Sequence, residues 1–142
     1  MKLSFFVPGN PKPQPRPRAY HTFINGKVTA RVFNPETTDG WKAMIRVYAQ
    51  NAQHESLHLR DAEVAVNFLM PRPKHHFLKS GLRSYAPAEH IIKPDLDNLA
   101  KAVLDALTDS GRFWDDDGAV HTLTLKKFYN QDPGVQITIS AP

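Results

Sequence analysis

Hydrophobic and polar residues alternate along four stretches of the chain, which is the pattern of β-strands that bury one face. The clearest alternation runs through 62–70, where Val64, Val66 and Phe68 occupy every second position. Turn-forming sequences such as Asp132-Pro133-Gly134 border these stretches. The predicted strands are 3–7, 62–70, 120–128 and 135–139.

Two further stretches repeat their apolar residues with the period of an α-helix. The first is predicted to begin with Asn34 as its capping residue and Pro35 at its first position, and to extend to about Gln53. Its apolar stripe consists of Trp41, Ile45, Tyr48 and Ala52. The second extends over 95–110 and ends at Gly111, a residue suited to helix C-termini. Its apolar stripe consists of Leu96, Leu99, Ala100, Val103, Leu104 and Leu107.

The segments between these elements contain many turn-forming residues. Alternating prolines in 11–17 predict an extended segment, and Asn25-Gly26 predicts a hairpin turn. Residues 71–94 show no convincing period. The order of elements predicts an α+β fold: a single small domain over residues 1–142, with a mixed sheet of about four to five strands and two main helices.

Composition narrows the class of protein. A chain of 142 residues, 41% of them hydrophobic, has enough material for one domain core. The absence of cysteine excludes a disulfide scaffold and a thiol nucleophile, and no apolar run approaches the roughly 18 residues of a membrane span. The first residues lack the pattern of a secretory signal. These features predict a cytoplasmic protein with no membrane partner.

Charge is unevenly distributed along a chain whose net charge is +4. Residues 1–35 contain six cations and no acid, and residues 71–93 contain five cations and one acid. Residues 94–118 reverse the sign, with seven aspartates and two cations. Clustered cations favour a polyanionic partner, and clustered carboxylates favour a bound cation that offsets their mutual repulsion.

The acidic segment begins with the second predicted helix. Asp95 is a candidate cap and Asp97 lies in the first turn, where acids also stabilise an ordinary helix. Asp97, Lys101 and Asp105 share the face opposite the apolar stripe. These three polar residues fit either a functional site or a pair of weak surface salt bridges.

Three consecutive carboxylates, Asp115 to Asp117, precede the strand predicted at 120–128. A chain that reverses from helix to strand can bring one of them towards Asp95 and Asp97; the alternative is a solvated acidic turn. Converging carboxylates beside a lysine suit Mg²⁺, which prefers oxygen ligands and can activate a phosphodiester and water.

The motif Asp95-Leu96-Asp97-Asn98-Leu99-Ala100-Lys101, followed by Gly111, Trp114 and Asp116-Asp117, resembles the signature of the RusA family of Holliday-junction resolvases. Phe6-Val7-Pro8-Gly9, Pro15-Arg16-Pro17-Arg18 and Met70-Pro71-Arg72-Pro73-Lys74 are similar to other parts of that family, so the resemblance spans most of the chain. It implies that Asp95, Asp97 and Asp117 bind Mg²⁺, with Mn²⁺ as a substitute, and that Lys101 is essential for cutting. Since three aspartates stand where the family has two, Asp116 is an alternative third ligand.

The same resemblance implies a function. It is that of a Mg²⁺-dependent endodeoxyribonuclease that resolves four-way DNA junctions by paired symmetric cuts in recombination and repair. The protein is expected to act as a homodimer, with the strand from Val120 or the strand 135–139 at the interface. Family members are common in prophages, so a phage origin is expected. No glycine-rich phosphate loop is present, so no nucleotide cofactor is expected.

Two alternative functions remain open at this point. One is a phage nuclease of broader specificity for branched DNA. The other is a DNA-binding accessory protein without catalytic activity, in which the acids are only helix caps and a solvated turn. The three functions differ in whether Mg²⁺ supports cutting, and in whether a four-way junction is preferred to linear duplex.

Several other residues have an expected role. The cations predicted to contact DNA phosphates are Lys12, Arg16, Arg18, Arg72, Lys74, Lys79 and Lys93. The histidines at 75, 76, 90 and 121 lack a metal-binding spacing, so phosphate contact or a solvated loop is expected for them. Phe113 and Trp114 are predicted to pack in the core, the alternative being stacking on an opened base.

Overall fold

The computed structural model describes residues 1–15 and 36–142. The predicted hairpin at Asn25-Gly26 and the cations Arg16 and Arg18 lie outside these residues. The elements are β1 (Lys2–Pro8), α1 (Thr38–Ala52), β2 (Ala62–Met70), β3 (Phe77–Leu78), β4 (Gly81–Leu82), α2 (Leu96–Ser110), β5 (Val120–Tyr129) and β6 (Gly134–Ser140). Short 3₁₀ turns occupy Lys74–His76 and Asp117–Ala119.

Four of the strands form one mixed sheet in the order β1-β6-β2-β5. β6 pairs antiparallel with β1 and β2, whereas β2 pairs parallel with β5. Parallel neighbours need a crossover connection, and α2 lies in the connection between β2 and β5. β3 and β4 form a separate two-stranded sheet. The predicted α+β fold, a small domain with a mixed sheet and two main helices, is confirmed.

The hydrophobic core lies on one face of the sheet. Every second residue of β2 is buried, from Ala62 to Met70. These side chains join Ile137 of β6, Trp41 of α1 and Val103 of α2 in one hydrophobic cluster. Both helices therefore cover the same face, and burial of apolar side chains between helices and sheet is the main stabilising contribution to this layered fold.

α2 has the apolar stripe that its sequence predicts, with Leu99 and Leu107 fully buried. The helix ends at Gly111, whose φ of 70° is the left-handed conformation that glycine adopts without strain. The chain then turns back under the helix, and Phe113 and Trp114 are 0% and 2% exposed. The prediction that these two aromatic residues belong to the core is confirmed.

The predicted start of α1 is wrong. The helix begins at Thr38, and Thr37 is its capping residue, because the Thr37 side chain accepts a hydrogen bond from the Gly40 N–H at 3.1 Å. Asn34 and Pro35 lie outside the described residues. A threonine that reaches a free N–H three residues ahead satisfies the helix end as well as the predicted asparagine would.

The buried stripe of α1 agrees with the predicted one at Trp41 and Ile45 but differs from it at Tyr48. Trp41, Ile45 and Ala49 are buried, whereas Tyr48 is 38% exposed. A spacing of four residues keeps the small Ala49 in the core and turns the larger tyrosine outward.

Both helices have 15 residues, and in the described part of the chain no helix has the length and apolar character needed to cross a bilayer.

Residues 71–94, for which the sequence predicts no element, pack against β5. After the β3–β4 hairpin, Glu89 forms an isolated bridge with Phe128 of β5. The Tyr129 N–H donates to the Ala88 carbonyl at 2.9 Å, and the His90 N–H donates to the Lys127 carbonyl at 3.4 Å. Residues 88–90 therefore form a short pairing with the end of β5. This pairing fixes the position from which the chain enters α2.

Two histidines of this segment are buried, contrary to the expectation of a solvated loop or phosphate contact. His76 and His90 are 7% and 5% exposed. Both rings pack edge-on against the Tyr129 ring, at centroid distances of 4.9 and 5.0 Å. The expectation is wrong for this pair because the tyrosine ring at the end of β5 supplies an apolar surface that the local sequence does not reveal.

Candidate active site

Asp95 is the capping residue of α2, but its carboxylate makes no capping hydrogen bond. The side chain is 44% exposed, and the Lys93 ammonium lies 4.0 Å from it. The N-terminal dipole of α2 favours a negative charge here. The Asp95 carboxylate is therefore accessible at the helix end and is not used to hold the helix together.

Asp97 lies in the first turn of α2 and is exposed. Its Oδ1 accepts a hydrogen bond from the Asn98 N–H at 2.9 Å. The two aspartates of the motif thus stand on the same helix end, one as cap and one within the first turn. Their placement follows from Pro94, which disfavours helical conformation at the residue before it.

Lys101 lies one turn further along α2. Its ammonium donates to Asp105 Oδ1 at 2.8 Å, and the Lys42 ammonium is 3.8 Å from Asp105 Oδ2. The hydrogen bond to Asp105 raises the pKa of Lys101, and the charges of Asp105 and Asp117 raise it further against a small opposing effect of burial. Lys101 therefore remains a cation at neutral pH.

The three consecutive aspartates have different environments. Asp115 pairs with His58 Nδ1 at 2.9 Å. Asp116 caps the 3₁₀ turn that follows it, because its side chain accepts from the Gly118 N–H at 3.0 Å. Asp117 is half-buried. Among the described residues, its side chain forms neither an ion pair nor a capping hydrogen bond. Of the three, Asp117 is the one whose charge raises the pKa of Lys101 on α2, after the larger effects of Asp105 and burial.

Among residues 1–15 and 36–142, no three histidine or carboxylate side chains are gathered closely enough to hold a metal ion between them. The donor set nevertheless fits Mg²⁺ or Mn²⁺, since accessible carboxylate oxygens are the ligands these ions prefer.

Lys127 of β5 holds the main chain that leads into Asp95. Its ammonium donates to the Ile92 carbonyl at 2.6 Å and to the Pro94 carbonyl at 2.8 Å. Burial lowers the pKa of Lys127, and the nearby charge of Asp95 opposes this change. Lys127 was not predicted as a functional residue from the sequence. The available signal is the pair of adjacent lysines, 126 and 127, inside a predicted strand, where neighbouring side chains lie on opposite faces.

Comparison with known proteins identifies the family. Residues 8–140 match the family model described as endodeoxyribonuclease RusA. The chain belongs to the RusA family of endodeoxyribonucleases. It is also 30% identical, over an alignment of 142 positions, to YqaN of Bacillus subtilis strain 168, an uncharacterized protein; the alignment covers 96% of this chain and 94% of YqaN.

The RusA-family motif lies beside a groove of about 690 Å³. The groove is lined by the proline-rich segment 11–15 and by residues 93–95 and 98. The Gln14 N–H donates to the Asn98 carbonyl at 2.9 Å, which attaches the proline-rich segment to α2. Lys12 and Lys93, both predicted to contact DNA, line this groove together with Asp95.

The remaining predicted DNA-binding residues are placed differently. Lys74 and Lys79 are exposed. Arg72 is turned inward: its guanidinium lies 5.1 Å from the Tyr129 ring centroid and donates to the Pro87 carbonyl at 2.8 Å. Arg72 thus holds residues 71–94 against β5, and its cation–π contact favours a structural role for it.

Proposed function

We propose that this RusA-family protein is a divalent-metal-dependent endonuclease that resolves four-way DNA junctions by paired symmetric cuts. The supporting observation is the position of the family motif. Asp95 and Asp97 occupy the accessible end of α2, and the cationic Lys101 lies one turn further, within the attraction of Asp117. Accessible carboxylates beside a lysine are suited to metal-assisted phosphodiester hydrolysis.

Asp95, Asp97 and Asp117 are the proposed ligands of Mg²⁺, for which Mn²⁺ can substitute. When bound, the ion supplies Lewis-acid polarisation of the scissile phosphate and lowers the pKa of a bound water. Asp95 has no capping bond that metal binding would have to break. Asp116 is the weaker candidate for the third ligand, because it already caps a turn.

Lys101 is the proposed electrostatic stabiliser of the transition state. Its hydrogen bond to Asp105 keeps the ammonium charged and fixes its direction. A positioned cation stabilises negative charge that develops on the phosphate oxygens more than it stabilises the bound substrate. Its contribution is therefore expected in the cutting step rather than in DNA affinity.

The groove beside Asp95 is the proposed path of the strand that is cut. Lys12 and Lys93 line it, and the side chain of Lys93 is 89% exposed. Cations at these positions would bind phosphates and hold the backbone in register without reading its sequence. Exposed Lys74 and Lys79 would extend the same non-specific contact.

A homodimer is the proposed working form, since paired cuts need two sites related by two-fold symmetry. Of the two strands predicted for the interface, β6 lies between β1 and β2 and has both edges occupied. β5 is an edge strand of the described sheet, and its Val120–Lys126 part precedes the pairing with residues 88–90. Antiparallel pairing of two such edges would give a symmetric dimer.

The decisive experiment compares a synthetic four-way junction with linear duplex of the same sequence. We expect Mg²⁺ or Mn²⁺ to support cutting of the junction, EDTA to abolish it, and the duplex to be cut far more slowly. Asp97→Asn should bind the junction at least as tightly as wild type without cutting it. Equal cutting of other branched substrates would instead indicate a broader nuclease, and binding without cutting by the wild-type protein would indicate an accessory protein.

The paired-site mechanism has a separate test with a supercoiled cruciform plasmid. Wild-type dimers should make both cuts within one complex and release linear DNA. Mixed dimers of wild type and Asp97→Asn should cut once and leave open circles. A mixture that gives as much linear product per wild-type subunit as the pure enzyme would contradict paired cutting.

A further inference from the structure

Two adjacent isoleucines next to the candidate active site are unusually exposed. Ile91 and Ile92 are 81% and 58% exposed. They precede Asp95 by only a few residues, with Lys93 and Pro94 between. Single apolar residues on a surface are ordinary, but two adjacent large aliphatic side chains beside a site indicate a contact surface.

The main chain on both sides of these isoleucines is held in place. On one side, the His90 N–H donates to the Lys127 carbonyl at 3.4 Å, and the His90 ring is buried. On the other side, the Lys127 ammonium donates to the Ile92 carbonyl at 2.6 Å and to the Pro94 carbonyl at 2.8 Å. The isoleucines therefore project from a fixed base on β5.

The charges around the pair favour nucleic acid as the partner. The Lys93 side chain next to Ile92 is 89% exposed. Glu89 is the single acid in the sequence 71–93, against five cations. A second copy of this chain would bring the same cations into contact, and two side chains supply little of the roughly 1,200 Å² or more that a stable subunit interface buries.

We propose that Ile91 and Ile92 are a wedge that enters between bases at the branch point of the junction. The inference rests on the proposed function, because it assumes that the phosphate to be cut lies at Asp95. Isoleucine is among the apolar side chains that proteins insert between base steps, and this insertion unstacks the bases. Bases that are already incompletely stacked cost less to separate. The wedge would thus favour branched DNA over continuous duplex.

The experiment uses a four-way junction that carries 2-aminopurine, a base whose fluorescence rises when it is unstacked, beside the branch point. Binding is measured in EDTA, so that fluorescence is observed without cutting. The test variant is Ile91→Ser/Ile92→Ser. The matched control is Leu78→Ser/Leu82→Ser, because these leucines of the β3–β4 hairpin are each 49% exposed. Ile91→Leu/Ile92→Leu tests whether apolar bulk alone is sufficient.

Wild type, the leucine variant and the matched control are expected to raise the fluorescence on binding, whereas the serine variant should bind with little rise. In Mg²⁺ the serine variant should cut the junction about tenfold more slowly, equivalent to about 1.4 kcal/mol in activation free energy. Equal fluorescence rises in the serine variant and wild type would overturn the wedge and leave the proposed function intact.

Two further outcomes would also overturn the wedge. If sedimentation shows that the serine variant has lost a dimer that wild type forms, the isoleucines belong to a subunit interface. If wild type itself fails to bind the junction, the proposed function and the wedge fail together. Circular dichroism verifies that each variant is folded before the DNA measurements, as expected for substitutions at exposed positions.

Discussion

The Lys101 ammonium is bonded to Asp105 at 2.8 Å, although Asp97 lies equally far along the helix in the other direction. Asp97 is engaged with the Asn98 N–H at the helix end, where the free N–H groups attract its carboxylate. The two acids on either side of Lys101 thus have separate tasks: Asp105 orients the lysine, and Asp97 stays at the accessible end of α2.

Substitution of Asp116 and Asp117 should separate their roles. Asp117→Asn should abolish cutting, because it removes the charge of a proposed metal ligand, whereas Asp116→Asn should retain most of the cutting rate. Asparagine can accept the same hydrogen bond from the Gly118 N–H, so Asp116→Asn should also leave the free energy of unfolding within about 0.5 kcal/mol. Cleavage rates and urea unfolding of both variants check this. More than about a tenth of wild-type activity in Asp117→Asn, a loss of less than about 1.4 kcal/mol, would contradict the assignment.

Lys101→Ala should slow cutting far more than it weakens junction binding, because the charge of Lys101 is proposed to stabilise the transition state. Lys42→Ala is the matched control, since Lys42 also contacts Asp105, at 3.8 Å, but stands on α1. The control should keep most of the cutting rate. Single-turnover rates at saturating DNA and binding in EDTA make the comparison. Equal losses in rate and affinity for Lys101→Ala would make it an ordinary phosphate contact.

Arg72→Ala and Lys74→Ala should change different properties, the first the stability of the protein and the second its DNA binding. Arg72 packs on the Tyr129 ring and donates a hydrogen bond to the Pro87 carbonyl. Its loss should therefore lower the free energy of unfolding by about 1 to 2 kcal/mol. Lys74 is exposed, so its loss should leave stability within about 0.5 kcal/mol. Instead it should reduce the slope of log affinity against log salt by about one. Unchanged stability in Arg72→Ala would contradict the structural role.

Stability should fall as the pH is lowered through the ordinary histidine range. Burial is the main cause that lowers the pKa of His76 and His90 below 6.5, with neighbouring positive charges adding to it. The unfolded chain therefore binds more protons than the folded one just below pH 6.5, which favours unfolding. In the described structure the buried His90 Nδ1 has no hydrogen-bond partner, so protonation there is unfavourable.

Urea unfolding of wild type and His90→Leu at about pH 7.5 and about pH 5.5 tests this. The variant loses one of the two titrating rings, so its stability should change less between the two pH values. The comparison uses the difference between pH values within each protein, so a constant packing effect of leucine cancels. The same pH dependence in both proteins would rule out His90 as a cause.

Much of the fold is predictable from local sequence patterns. The alternation in 62–70 and the apolar stripe of 95–110 report burial directly, so β2 and α2 were predicted with nearly correct ends. The position of β6 between β1 and β2 was not predictable, because strand order depends on contacts between distant residues. The path of residues 71–94 depends in the same way on β5.

The candidate site likewise contains residues that local sequence predicts and residues whose roles depend on distant contacts. Asp95, Asp97 and Lys101 follow from a contiguous motif on one helix, so the sequence alone singles them out. The separate environments of Asp115, Asp116 and Asp117 depend on His58 and on the turn geometry. Lys127 could not be assigned, because its partners are carbonyl groups 35 and 33 residues away.

The central position of β6 affects the order in which the chain can fold during synthesis. Of the four strands in the described sheet, β6 is translated after the other three, yet it is the partner that joins β1 to β2. Until then, β1 lacks the strand with which it pairs, and β2 has one neighbour fewer. Pairings between distant residues form slowly, and unpaired edges expose the chain to aggregation. Residues 95 to 117, which carry the proposed chemistry, are thus translated before the sheet that supports them is complete.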